Sequence, residues 1–113
     1  MEVTMDYYPD GWMLVKINGT DPHYRVFGSW RGGYANGDSW RLNSGVVKCE
    51  KEGKYYKFFG ESGSAYYCNE NTYGNLGMYN FGVLRSYEEK AGNTFIALEE
   101  MPNDLENFDW IIS

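Results

Sequence analysis

Few side chains in this chain have types and spacings that could do chemistry. The single histidine, His23, follows Asp21-Pro22, and the two cysteines, Cys49 and Cys68, have neither a CxxC spacing nor a histidine partner. A lone imidazole and two separated thiols do not form the ligand set of a zinc site. His23 reads as a turn residue or as a donor at a sheet edge. The acid pairs Glu88-Glu89 and Glu99-Glu100 are adjacent in sequence. Their carboxylates therefore diverge on a helix or strand, and they read as solvated surface rather than as acid–base dyads. No nucleophile elbow, Walker loop or HExxH run occurs, and the glycines of "GNLGMYNFG" are not in phosphate-cradling order. These residues predict a non-enzymatic protein without metal or cofactor.

Binding chemistry is better represented. Ser-Trp-Arg occurs at 29–31 and again at 39–41, on either side of the glycine-rich loop "RGGYANGD". Strand side chains alternate between faces. If the two flanking strands fold about Ala35, Trp30 lies opposite Trp40 on an inner face with Tyr24, Val26 and Leu42. Arg25, Phe27, Ser29, Arg31, Ser39, Arg41 and Asn43 then share the outer face. Three of the four arginines would stand together there, and guanidinium forks suit carboxylates and phosphates. Arg25, Phe27, Arg31, Arg41 and the loop residue Tyr34 are the candidate binding residues. Two other readings of the arginines stay open. They could form a solvated face, or pair with the acidic C-terminal segment of the same chain.

The elements that would position these residues follow from period and punctuation. "GWMLVKING" alternates as a strand, with turns at Asn18-Gly19 and Asp21-Pro22. "HYRVFGSW" is a second strand, and "SWRLNSGVVKCE" a third, bulged at Gly45. "KYYKFFGE", "SAYYCN" and "TFIALEE" complete a set joined by short turns. Asn80 can cap a helix over residues 81–91 with Val83, Leu84, Tyr87 and Ala91 on one side, stopped by Gly92. Asn103 and Glu106 are spaced like a capping box for a last helical turn. If "KEGK" and "ESGS" close two-residue turns, Cys49 lies opposite Tyr56 and Cys68 opposite Lys57. The thiols then occupy opposite faces and form no disulfide. "YYKFF" and "AYYC" place rings on both faces of their sheet, so the face away from the core needs a cover. The chain's own helix is the economical one. The fold class is mainly β within α+β: a twisted antiparallel meander or small partly open barrel of about six strands, with the helix near 81–91 and a short C-terminal turn.

At 113 residues the length suits one domain, 1–113, ending in an acidic segment over 99–113. Residues 91–113 carry five acids and no base, which accounts for most of the net charge of −6. A nucleic-acid binder shows a basic excess, so no nucleic acid is expected. "MEVTMDYYPD" lacks the basic and apolar regions of a signal peptide, and the longest apolar runs, "WMLV" and "FIAL", are too short to span a bilayer. A cytoplasmic location without membrane contact is expected.

The stretches "YYPDGWMLVKI", "FGSWRGGYANGDSWRLNSG" and "GESGSAYYC" resemble those of small uncharacterised proteins encoded by tailed bacteriophages. The resemblance implies expression in the host cytoplasm and an accessory or host-directed role. The expected function is a small binding protein that engages a host or phage macromolecule, most simply a protein partner, through one sheet face. The Arg25/Arg31/Arg41 surface or the acidic C-terminal segment would make the contact. The alternative is a small-ligand domain, for a nucleotide or glycan, using Arg and Tyr around residues 27–41. A virion component that self-assembles is a third reading, and the oligomeric state stays open.

Overall fold

The computed structural model describes residues 5–32 and 37–110. Its strands are β1 (Asp6–Tyr7), β2 (Gly11–Ile17), β3 (His23–Trp30), β4 (Ser39–Leu42), β5 (Val46–Glu52), β6 (Tyr55–Gly60), β7 (Ala65–Asn69) and β8 (Phe95–Ala97). Among the described residues, one α-helix, α1 (Met78–Ala91), runs into a 3-10 turn at Gly92–Thr94, and a second 3-10 turn spans Leu105–Asn107. The strands form two four-stranded sheets, ordered β1-β7-β6-β5 and β4-β3-β2-β8, which do not close into a barrel. The mainly β, α+β architecture matches the sequence reading.

The β4-β3-β2-β8 sheet is the middle layer. Trp12, Leu14 and Val26 pack against Cys49, Phe58, Tyr66 and Cys68 of the other sheet. Met13, Val15 and Phe27, on the opposite face, pack against Leu84 of α1 and Leu76. Both faces are thus covered, and Gly11–Val15 is buried without interruption. A strand buried on both sides needs a continuous apolar run rather than alternation, which is what "WMLV" supplies.

Three local expectations are corrected. The third predicted strand is two strands in two sheets. The chain leaves β4 after Leu42, and Gly45 adopts a φ of 138° before β5. Such a φ strains any residue with a Cβ. The ladder irregularity falls between Val46 and Lys48, just past the predicted site. Second, the helix cap is Gly77, at φ 83°, and Asn80 is inside the helix. Third, the last turn follows Asp104 in a left-handed conformation with no side-chain cap bond, so Asn103 and Glu106 form no capping box.

Register decides the remaining differences. β3 and β4 pair Phe27 with Leu42, Gly28 with Arg41, Ser29 with Trp40 and Trp30 with Ser39. This is one residue away from a fold about Ala35, and a one-residue slip moves every side chain of β4 to the other face. Trp30 and Trp40 therefore lie on opposite faces. Likewise, β6 and β7 pair Tyr56 with Cys68, because the connecting loop spans Glu61–Ser64 instead of two residues. Cys49 pairs with Phe58, so both thiols face the same core. They remain free. β5 and β7 flank β6, which separates them by about 9–10 Å, beyond disulfide reach.

Candidate functional site

The structure separates the five candidate residues. Phe27 is fully buried beneath α1, where its ring stacks on Trp40 at 5.4 Å. It cannot meet a ligand. Arg31 lies past the end of β3 and is exposed; its Nη2 donates to Asn75 Oδ1 at 2.8 Å and its backbone N–H to Asp10 Oδ2 at 2.7 Å. Tyr34 lies outside the described residues. The outer face expected for β3 is thus an interior one, with Ser29 only 1% exposed.

Arg25 and Arg41 border one cleft, although the register roots them on opposite faces of their sheet. Arg41 stands opposite Gly28, and its guanidinium lies 4.8 Å from the centre of the Tyr7 ring. A cation over an aromatic face is held by the ring quadrupole. Arg25 stands past the end of β4, where the chain departs for the other sheet. Its Nε donates to His23 Nε2 at 3.0 Å, while His23 Nδ1 lies 2.7 Å from the Asp21 carbonyl oxygen. Nδ1 therefore carries the proton, and the free lone pair on Nε2 orients the arginine. Both arginines line a cleft of about 210 Å³ between the sheets, with Asn43, Ser44, Ser62 and Ser64. Among the described residues neither arginine has a carboxylate partner. Arg85 is the one that pairs with the acidic C-terminal segment, through Glu99 at 2.7 Å.

A second surface went unread in the sequence. Met78 and Tyr79 open α1 at 93% and 66% exposure, and Phe81 and Tyr87 are also exposed. Between them runs a groove of about 620 Å³ floored by Trp40, Gly82 and Val83, with Lys90 at its edge. Tyr87 meets the Trp40 ring edge-on at 5.5 Å. The signal was the run "MYNF": three of its four residues are large and apolar, yet Asn80 is the one that turns inward.

The expected helix cover of the Tyr/Phe-rich sheet is also corrected, because α1 packs on the other sheet. The outer face of β6 and β7 is open. Tyr8 stacks on Tyr67 at 4.7 Å, and Lys57 lies over Phe59 and Tyr67. Lysine stems laid over rings cover part of that apolar surface.

The thiols offer no nucleophile. Burial pushes Cys49 up to about 12, and Cys68 is raised well above its ordinary range for the same reason. A reactive cysteine needs the opposite shift. Glu88 is not the solvated acid its sequence suggests. Its Oε2 accepts the Ala97 backbone N–H at 2.9 Å and its Oε1 meets Arg85, tying α1 to β8. In comparisons with family models, curated proteins and solved structures, this chain finds no significant match.

Proposed function

We propose that this chain is a small, non-enzymatic binding protein whose partner is a polypeptide presenting an apolar or aromatic side chain to the groove along α1. The observation that carries this reading is the exposure of Met78 and Tyr79 beside a concave, Trp40-floored surface. Large apolar patches rimmed by polar groups mark interaction sites, and aromatic residues and Met are enriched at interfaces. The raised thiols support a non-catalytic role. The resemblance to phage-encoded proteins supports a host-directed partner in the cytoplasm. The contact surface differs from the sheet face expected earlier, since both faces of the middle sheet are occupied.

The test compares proteins co-purified from a bacterial lysate by the wild type, by a Met78→Glu/Tyr79→Lys variant, and by an Arg25→Gln/Arg41→Gln variant. Both positions on α1 are solvent-facing, so folding is retained. A partner lost with the α1 variant and kept with the arginine variant supports the groove. Equal recovery from all three removes it.

A further inference from the structure

We propose that the cleft between β4 and the Glu61–Ser64 loop is a binding site for a tetrahedral oxyanion of the phosphate type. Its lining is largely polar. Arg25, Arg41, Ser44, Ser62 and Ser64 border it together with Tyr7, Leu42 and Tyr66, and no carboxylate lines it; the Ser44 hydroxyl donates to Ser62 Oγ at 3.2 Å.

The independent observation is Asn43. It is 3% exposed, and its Oδ1 accepts the Val26 backbone N–H at 2.8 Å. Its Nδ2 is buried and finds no acceptor among the described residues. A buried donor left unsatisfied is costly, and this one belongs to a residue that borders the cleft. A small outward turn of the Asn43 amide would let an anion's oxygen in the cleft accept from it. Gly60 keeps the space open. A methyl group there would sit 3.1 Å from Ser44 Oγ and 3.4 Å from Asn43 Nδ2.

The electrostatics agree. Burial raises the Tyr66 phenol and the positive charge of Arg41 partly offsets that rise; both residues line the cleft. One acid, Glu61, lies beside Gly45. Its Oε2 lies 3.3 Å from where a Gly45 methyl would stand, close to the His23 ring. Glu61 is exposed, and among the described residues it makes no ion pair with Arg25.

Size narrows the ligand. About 210 Å³ is the share of roughly seven waters, below the roughly 300–1,000 Å³ of a site that encloses a whole organic ligand. The cleft takes inorganic phosphate, or the terminal phosphoryl group of a phosphomonoester whose remainder projects outward. This site is independent of the α1 groove, and neither proposal needs the other.

The test titrates the full chain with inorganic phosphate in low-salt buffer free of other oxyanions, following the side-chain N–H signals of arginine and asparagine by NMR. Glycerol phosphate and acetate serve as separate arms. Saturating shifts of Arg25, Arg41 and Asn43 with one dissociation constant are expected. Tighter binding of glycerol phosphate than of phosphate identifies a phosphomonoester as the source, and the reverse identifies the free ion. Asn43→Asp keeps the acceptor for Val26 and replaces the donor with a charge, so phosphate should bind about tenfold more weakly or worse. Gly60→Ala should weaken it by filling the space. If Asn43→Asp fails to fold, Arg41→Gln decides, because Arg41 stands exposed on a sheet edge. Non-saturating shifts spread over the surface lysines would overturn the site, as would unchanged affinity in a folded Arg41→Gln variant or acetate binding as tightly as phosphate.

Discussion

Buried groups that ionise make the most measurable residue-scale statements. Cys49 is pushed up to about 12, chiefly by burial, and the burial of Tyr73 raises its phenol to about 12 as well. A thiol held protonated in the fold favours folding below the unfolded thiol's value, about 8.5. Above that pH the unfolded chain releases its proton first, and the contribution is lost as pH climbs toward 12. Stability should therefore fall by up to about 1.4 kcal/mol per pH unit for Cys49, and more steeply above about pH 10, where unfolded tyrosine joins. Urea unfolding at pH 7, 9 and 10 reads the slope. Cys49→Ala should roughly halve the slope below pH 10, because the buried Cys68 thiol is raised in the same direction, and an unchanged slope would show that Cys49 does not contribute to it. Tyr73 has a second role. Its hydroxyl accepts the Leu14 N–H at 3.1 Å and donates to the Leu98 carbonyl at 2.6 Å, standing between β2 and the segment after β8. Tyr73→Phe leaves both backbone groups without it and should cost about 1–3 kcal/mol. Tyr55→Phe, at 39% exposure, should stay within about 0.5 kcal/mol.

At the scale of elements, α1 is held on the sheet by polar contacts as much as by Leu84. Asn80 Nδ2 donates to Ser29 Oγ and to the Ser39 carbonyl, each at 2.8 Å, and Ser29 Oγ donates onward to the Leu76 carbonyl at 2.6 Å. Asn80→Ala should destabilise the protein by about 1–3 kcal/mol. Asn80→Asp should cost more, because a carboxylate would face the Ser39 carbonyl. Chemical denaturation of both variants tests the order, and an Asp variant as stable as the wild type would show that Asn80 does not pin the helix. Strand positions were legible in the sequence because β3 obeys a two-residue period and turns carry Gly, Asn, Asp or Pro. The helix was legible from Val83 through Gly92. Register was not legible, because it depends on how many residues each loop takes up. A single residue in the 31–38 connection, or in Glu61–Ser64, changes which way Trp40, Arg41 and Cys68 point. The candidate site shared that fate. Arg25 and Arg41 border one cleft through a sheet-to-sheet crossover at Asn43–Gly45, where the sequence announced only a bulge, and Phe27 was misplaced because α1 covers the face expected to be open.

At the scale of the whole molecule, two sheets must be held face to face, and the acidic C-terminal segment does this with apolar side chains. Trp110 is 4% exposed and meets Tyr24 of one sheet at 5.7 Å and Phe58 of the other at 5.6 Å, both edge-on. Leu105 is buried in the same core. Local periodicity could not show this, since the segment's charge dominates its composition and its few apolar residues act only across the two sheets. Trp110→Ala should cost about 3–5 kcal/mol, a large share of the roughly 5–15 kcal/mol available to such a domain. The way the structure loosens is also determined. The negative charge of Glu106 is felt by the Cys49 thiol, so the 3-10 turn lies over β5 at that point. Cys68 is fully buried on β7, which β6 separates from β5. Loosening the C-terminal segment in Trp110→Ala should expose Cys49 before Cys68, so alkylation followed by peptide mass spectrometry should label Cys49 first and faster than global unfolding allows. Equal labelling of both thiols, at a rate set by global stability, would show instead that the segment and the inter-sheet core open as one cooperative unit.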